Sequence, residues 1–524
     1  MRSFMIILKS IFSISEVHSN LFYKLASYLH YMGIIQRQSI TGFIYTIVGV
    51  ILGFLTTGLL MPRIFQTEEI GLLRVLISYG SVLSTIAVLG FSFVSVKMFP
   101  FFRDEKTKHH GFFGLSLLVG FTGFLLVSLV YILLQHFILE KGVEKSSMFS
   151  HYFYVIVPLT FFLTLYTIVD TYFRALYQAV IGIMYKELIQ RILILFVFIG
   201  YYLGWFGFTT NVYLYLIAFS LPAVFMLIAL FIKGDFTLIP DFKFLNKPLL
   251  KEIGHVGLYG IFSSFAAILV INVDILMLNQ MTGLAQTGIY TITFFFGTLV
   301  LIPSRSMAKI SSIIISDAFK RNDLAEVNSI YKKSSINLGI VGMLILLGLW
   351  GNIENIFLLI GDEFRAGYWV VILIGTANLF DMLSGISSQI FFNSKYYTTS
   401  AYLSFFFMLL LVITNLIFIP LYGILGAAIA SLISKFAFNL FKYLFLWKNL
   451  NFQPFTWKTL ILVIIGLSTV FLLQFLPQLP NYLIDILVRS TLITLFFGLA
   501  VYFFKLSEDL NNWLEKVWVK IFQL

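Results

Sequence analysis

Apolar runs of about 20 residues recur along the whole chain, separated by short polar segments. At about 1.5 Å of rise per residue, each is long enough to cross a hydrocarbon core of about 30 Å. Stretches such as LTFFLTLYTIV and MLLLVITNLIFI are apolar on every side, whereas a membrane β-barrel would alternate polar and apolar residues in strands of roughly ten. The pattern predicts an all-α polytopic membrane protein with about fourteen transmembrane helices. These fall at 41–62, 75–98, 111–137, 152–169, 188–204, 211–233, 257–280, 288–310, 334–360, 368–392, 400–419, 423–447, 457–478 and 482–506. The longest loops cover 170–187, 234–256 and 311–333, and none has room for a soluble domain.

Composition agrees. Of 524 residues, 59% are hydrophobic and 11% charged, with a mean hydropathy of +0.95, which leaves too little polar surface to cover a water-soluble globule. The charges that remain orient the chain, because Lys- and Arg-rich loops stay cytoplasmic. With the N-terminus inside, 27 of the 35 Lys and Arg residues fall in cytoplasmic segments and five in outer loops: Arg63, Arg74, Lys141, Lys145 and Arg365. Both termini are therefore expected in the cytoplasm, and the protein in the cytoplasmic (inner) membrane. The net charge of +11 reflects this bias, and no nucleic-acid partner is implied.

The chain has no cysteine, which excludes disulfides, thiolate metal sites and cysteine nucleophiles. Lys9 interrupts the first apolar run, so a signal peptide is not expected. Phe4, Ile7, Leu8 and Ile11 recur at helical spacing, which suits a short interfacial helix within a segment 1–40; Met32 is an alternative start.

Residues 415–435, NLIFIPLYGILGAAIASLISK, read as a hairpin. Pro420 and Gly423 make the turn, and Gly426 with Ala430 and Ala427 with Ser431 form small-xxx-small pairs that let helices approach closely. Gly49 and Gly53 do the same in the first span. An internal echo also emerges. FQTEEIGLL (65–73) resembles TGLAQTGIY (282–290), with Gly71 and Gly288 in register at an offset of 217. The echo divides the chain into two six-helix lobes, 41–233 and 257–447, joined by a linker at 234–256. A terminal helix pair (448–506) and a tail (507–524) follow. Parallel repeats of this kind suit a transporter whose halves move around a central cavity.

Residues 49–91, 272–294 (NVDILMLNQMTGLAQTGIYTITF) and 415–434 resemble blocks of the Wzx-type polysaccharide flippases. These are members of the MATE-like multidrug/oligosaccharidyl-lipid/polysaccharide exporter superfamily. The resemblance implies two lobes in a V around a cavity. It also implies movement of undecaprenyl-pyrophosphate-linked oligosaccharide from the inner to the outer leaflet for surface polysaccharide or O-antigen assembly. The partners would be this lipid-linked substrate, membrane lipids and polysaccharide assembly proteins. No cofactor or metal is implied; coupling to H+ or Na+ stays open.

That task needs cationic groups for phosphates inside the bilayer, where charges are costly and therefore candidates for function. Lys435 is twelve residues from Gly423, about 18 Å deep, and Asp381 lies at nearly the same depth in the tenth span. They form either a structural pair or a diphosphate site in which Asp381 restrains Lys435. Arg305 could meet the diphosphate as it enters, and Asp274 could pair across the lobes or hold a coupling cation. Asp170 with Arg174, and Asp485 with Arg489, read as i, i+4 ion pairs. Lys97 and Lys309 are close enough to the inner surface to snorkel, and a metal role for His109 and His110 is not expected.

Three rival readings remain, one of them a membrane scaffold with no transport role. A cation-coupled multidrug exporter of the same fold would favour an acid-rich first half, but Asp170 is nearly its only intramembrane acid. A polysaccharide polymerase or ligase would carry a large outer loop, and the outer segments 138–151 and 361–367 are too small. The protein is thus expected not to be an enzyme. Reporter fusions at Thr282 and Leu421 should read outside, and at Asn322 and Lys395 inside. A cytoplasmic signal at Thr282 would overturn the topology of the second half.

Overall fold

The computed structural model describes residues 34–143, 147–512 and 515, and among these the secondary structure is entirely helical. The expected interfacial N-terminal helix lies outside the described residues. The principal helices are α1 (Ile34–Gly53), α2 (Thr67–Ala87), α3 (Phe91–Phe102), α4 (Phe112–Leu133), α5 (Ile156–Ala175), α6 (Gln190–Tyr202), α7 (Phe208–Lys233) and α8 (Lys247–Thr282). They continue with α9 (Leu284–Thr298), α10 (Ile302–Lys320), α11 (Leu324–Gly351), α12 (Tyr368–Leu383), α13 (Tyr397–Tyr422), α14 (Ile424–Leu450), α15 (Trp457–Leu473) and α16 (Tyr482–Phe503). Among the described residues, twelve helical runs are long and apolar enough to cross a membrane; α2 with α3 forms one of them, and α9 with the start of α10 another. The positions of the fifth and thirteenth expected spans are filled by shorter apolar helices, α6 with the turns preceding it and α15.

Several boundaries differ from the hydropathy pattern for local reasons. Helix α2 begins at Thr67, eight residues before the expected span, because Gln66 and Glu69 close a reciprocal capping box over its first turn. This brings Arg74 inside the helix, where the sequence alone had assigned it to an outer loop. Helix α8 starts at Lys247, capped by the Asn246 side chain accepting from the Leu249 amide at 2.9 Å, so the linker shortens to 234–246. Helix α13 runs through Pro420 to Tyr422, and the hairpin turn rests on Gly423 alone, at φ +58°.

The shortened linker is held to the first half. The Asp241 amide donates to the His110 carbonyl at 3.1 Å, and the His110 ring stacks on Phe244 at 3.9 Å between centroids. Lys108, His109, His110 and Gly111 all have positive φ, which turns the chain before α4 so that His110 faces the linker.

The two halves meet through backbone. Helix α2 crosses α9 where a Cβ on Gly71 would lie 2.1 Å from the Leu284 carbonyl oxygen, and one on Gly288 would lie 1.8 Å from that of Thr67. The echoed glycines are therefore each other's neighbours at one close helix crossing. A second crossing joins α3 to α8 at the other end of the same run: a Cβ on Gly90, at φ +75°, would lie 2.0 Å from the Gly257 carbonyl oxygen. Arg63 extends the first crossing, its Nε donating to the Leu359 carbonyl at 2.9 Å. Within the first half, Gly49 and Gly53 open space for Glu187 and Arg191, while Gly426 lets α14 fold onto the Phe418 carbonyl of α13.

Gly71→Leu or Gly288→Leu should cost about 1–3 kcal/mol or more, read as a lower melting temperature and loss of monodisperse protein in detergent. Gly498→Leu, where an added Cβ meets no neighbour within 4 Å, should leave both unchanged.

Candidate functional site

Helix α14 carries Ser431, Lys435, Asn439 and Lys442 at a spacing that puts them on one face. The small residues at its start, with Ala427, Ala428 and Ala430 fully buried, bring that face against α12 and α13. Lys435 Nζ lies 3.0 Å from Asp381 Oδ2 and also donates to Asn378 Oδ1. Asn439 donates to Asp381 Oδ1 at 2.6 Å, and Asn378 donates to the Gly297 carbonyl of α9 at 2.9 Å. The carboxylate is thus satisfied on both oxygens, as a buried charge must be. The pair is not sealed: the Lys435 side chain is 21% exposed and that of Asp381 27%. Lys442, two turns beyond Lys435, is 6% exposed, with its ammonium 4.5 Å from the Phe438 ring centroid.

Asp274 is buried and accepts three hydrogen bonds, from Tyr290 at 2.8 Å, Ser431 at 2.8 Å and Asn415 at 2.7 Å. These donors come from α9, α14 and α13, so Asp274 is held within the second half and does not pair across the lobes as one expectation had it. Asn415 Oδ1 is buried without a partner beside it. Among the described residues no cluster of three or more acidic, His or Cys side chains could hold a metal ion.

The first half contributes cations. Arg191 is bound by Glu187 at 2.9 Å on the wall of a cavity of about 190 Å³, which Thr56, Gln190 and Tyr215 also line. A seven-residue π turn, Phe54–Leu60, shapes the facing side of α1, a departure from regular helix that often marks a functional segment. Arg74 stands between the halves. It is partly buried on α2, one turn beyond the Gly71–Gly288 crossing, and has no carboxylate partner among the described residues. Tyr290 also bonds Asp274, and Ser431 stands one turn from Lys435, so polar groups run from Arg191 through Arg74 to Lys435.

Of the residues singled out from sequence, Lys435, Asp381 and Asp274 are brought together, and Arg305 is not. Arg305 is exposed on α10, without an ion pair or hydrogen bond among the described residues. The Lys309 side chain lies outside the described residues. Arg174 pairs with Asp170 at 2.7 Å. Arg489 pairs with Asp485 at 2.6 Å and also donates to the Leu476 and Pro477 carbonyls, tying the terminal hairpin together. Arg74 and Tyr290 were missed; the capping signal QTEE before Arg74 was the mark in the sequence that could have found the first.

No protein-family model and no curated protein sequence matches the chain. Solved structures do. The lipid II flippase MurJ, in an inward closed conformation, superposes with a TM-score of 0.68 over 89% of this chain and 98% of its own, at 16% identity. An inward-facing multidrug resistance MATE family transporter of the MOP superfamily superposes with a TM-score of 0.60 over 79% and 98%, at 15% identity. At these identities the likeness is one of fold: the chain is a multi-pass membrane protein with the fold of flippases and transporters.

Lys435→Met leaves Asp381 unpaired and should lower stability by up to about 3 kcal/mol. Lys435→Met combined with Asp381→Asn should recover most of the loss, measured as melting temperature in detergent.

Proposed function

We propose that the protein is a flippase that moves undecaprenyl-pyrophosphate-linked oligosaccharide from the inner to the outer leaflet of the cytoplasmic membrane, for surface polysaccharide or O-antigen assembly. The observation that carries this reading is Arg74, an arginine between the two halves, at membrane depth, with no carboxylate against it among the described residues. An uncompensated guanidinium there is costly, and a diphosphate would neutralise it with bidentate, charge-assisted hydrogen bonds. Arg191 and Lys435 stand on either side, each restrained by one acid that a phosphate could displace.

The orientation is that of the charge bias, with the N-terminal face cytoplasmic. Arg305, exposed near the cytoplasmic end, would meet the diphosphate first. The amide and hydroxyl groups on this path, among them Thr56, Gln190 and Asn439, suit a sugar chain. Asp274, charged or neutral by exchange of a proton or Na+, would couple transport from the second half. A multidrug exporter selecting cationic drugs is disfavoured by the same arginine, which would repel them.

The test is flipping of a defined lipid-linked oligosaccharide in proteoliposomes. Arg74→Gln should fold normally and flip at least tenfold more slowly. The double variant Lys435→Met with Asp381→Asn should fold and remain inactive. Wild-type rates in both would reject the diphosphate path, and export of a cationic dye by the wild type without lipid flipping would favour the multidrug reading.

A further inference from the structure

Away from the central path, a second polar cavity of about 450 Å³ opens where α11, α15 and the segment after α16 meet. Helix α11 begins with several polar turns, so Ser329, Lys332, Lys333 and Asn337 fall on adjoining positions of its first half, before the apolar stretch that enters the membrane. The floor is fixed. Ser507 donates to Asn337 Oδ1 at 2.6 Å, and Asn337 Nδ2 donates to Asp509 at 3.0 Å. Opposite, Lys458 stands 3.8 Å from Glu508, with both side chains exposed. Lys332 and Lys333 are exposed and have no acidic partner among the described residues.

The cavity therefore holds three lysines against two carboxylates, an excess of one positive charge. Both acids are already engaged, and the two lysines of α11 are left to an anion. The mouth is marked by Trp457, 73% exposed, the residue type that settles at the headgroup level of a bilayer. From there Leu460, Ile464, Leu467 and Phe471 continue along one face of α15, all exposed and spaced by one helical turn. A headgroup site opening onto an apolar stripe is what a phospholipid presents in reverse: an anion joined to acyl chains. A soluble phosphate would use the lysines and leave the stripe idle. A lipid diphosphate would bring more negative charge than the cavity can offset.

We propose that this cavity binds a membrane phospholipid of one net negative charge, its phosphodiester on Lys332 and Lys333 and its acyl chains along α15. The site requires only that the helices lie in a membrane and is independent of the cargo of the central path.

The full-length protein, purified in detergent, would be titrated with dioleoylphosphatidylglycerol, dioleoylphosphatidylethanolamine, undecaprenyl pyrophosphate or inorganic phosphate, reading retained lipid by native mass spectrometry and the melting temperature. Phosphatidylglycerol should be retained in preference to phosphatidylethanolamine and raise the melting temperature. Lys332→Gln with Lys333→Gln should weaken it about tenfold or more while leaving the lipid-free melting temperature unchanged. Ile464→Asn should weaken the lipid and leave flipping unaffected. Should the double lysine variant not fold, Lys458→Gln serves in its place, with a severalfold loss expected. Equal retention of phosphatidylglycerol in the lysine variants, equal binding of phosphatidylethanolamine, or reproduction of the effect by inorganic phosphate would each overturn the proposal. So would undecaprenyl pyrophosphate displacing phosphatidylglycerol at equal concentration.

Discussion

The contact on which the architecture turns is made by two residues that have no side chains. Gly71 and Gly288 let the backbones of α2 and α9 touch, and any Cβ at either position would enter the other helix's carbonyl. In lipid, where apolar surface gains nothing by leaving one apolar neighbour for another, close backbone approach and its dispersion contacts are what hold helices together. The chemistry follows from the crossing. Arg74 is one turn beyond Gly71 and Tyr290 two residues beyond Gly288, so the same contact that joins the halves sets these two polar groups within range of each other.

From that point the polar groups of each half converge, and among the described residues no ion pair joins the halves. Arg191 is restrained by its own helix through Glu187, and Lys435 by α12 through Asp381. Asp274 is satisfied by neutral donors alone. Each of these three charges is thus kept in the membrane by partners on its own side. The interface carries Arg74, together with contacts such as Phe54 against Phe296 at 6.2 Å and Gln280 donating to the Tyr79 hydroxyl at 3.4 Å.

Much of this was legible in the sequence, and its failures share one cause. Average apolarity over a window locates a crossing helix, and the recurrence of Gly71 at Gly288 singled out two residues that meet at one crossing. Equal depth from Gly423 and Tyr368 brought Lys435 and Asp381 level. The same averaging moves a charge near a helix end out into solvent, which is why Arg74 was read as a loop residue; the cap at Gln66 and Glu69 is local chemistry that a window does not see. Faces were the other blind spot. Helices apolar all round have no polar side to orient them, so nothing in the pattern says that Tyr290, Asn415 and Ser431 turn towards one carboxylate. Nor does it say that Arg305 turns away from the group.

The halves are joined by two glycine crossings, Gly71 with Gly288 near one end of α2 and Gly90 with Gly257 near the other, and both are closed in this structure. Surfaces that interlock through large side chains must withdraw each knob from its hole before they can part, and the barrier grows with every one. Smooth surfaces have no such teeth. A molecule that must open first to one side of a bilayer and then to the other would wear its seams at these two places, and a seam of bare backbone can unzip and reseal without any rotamer having to find its way home.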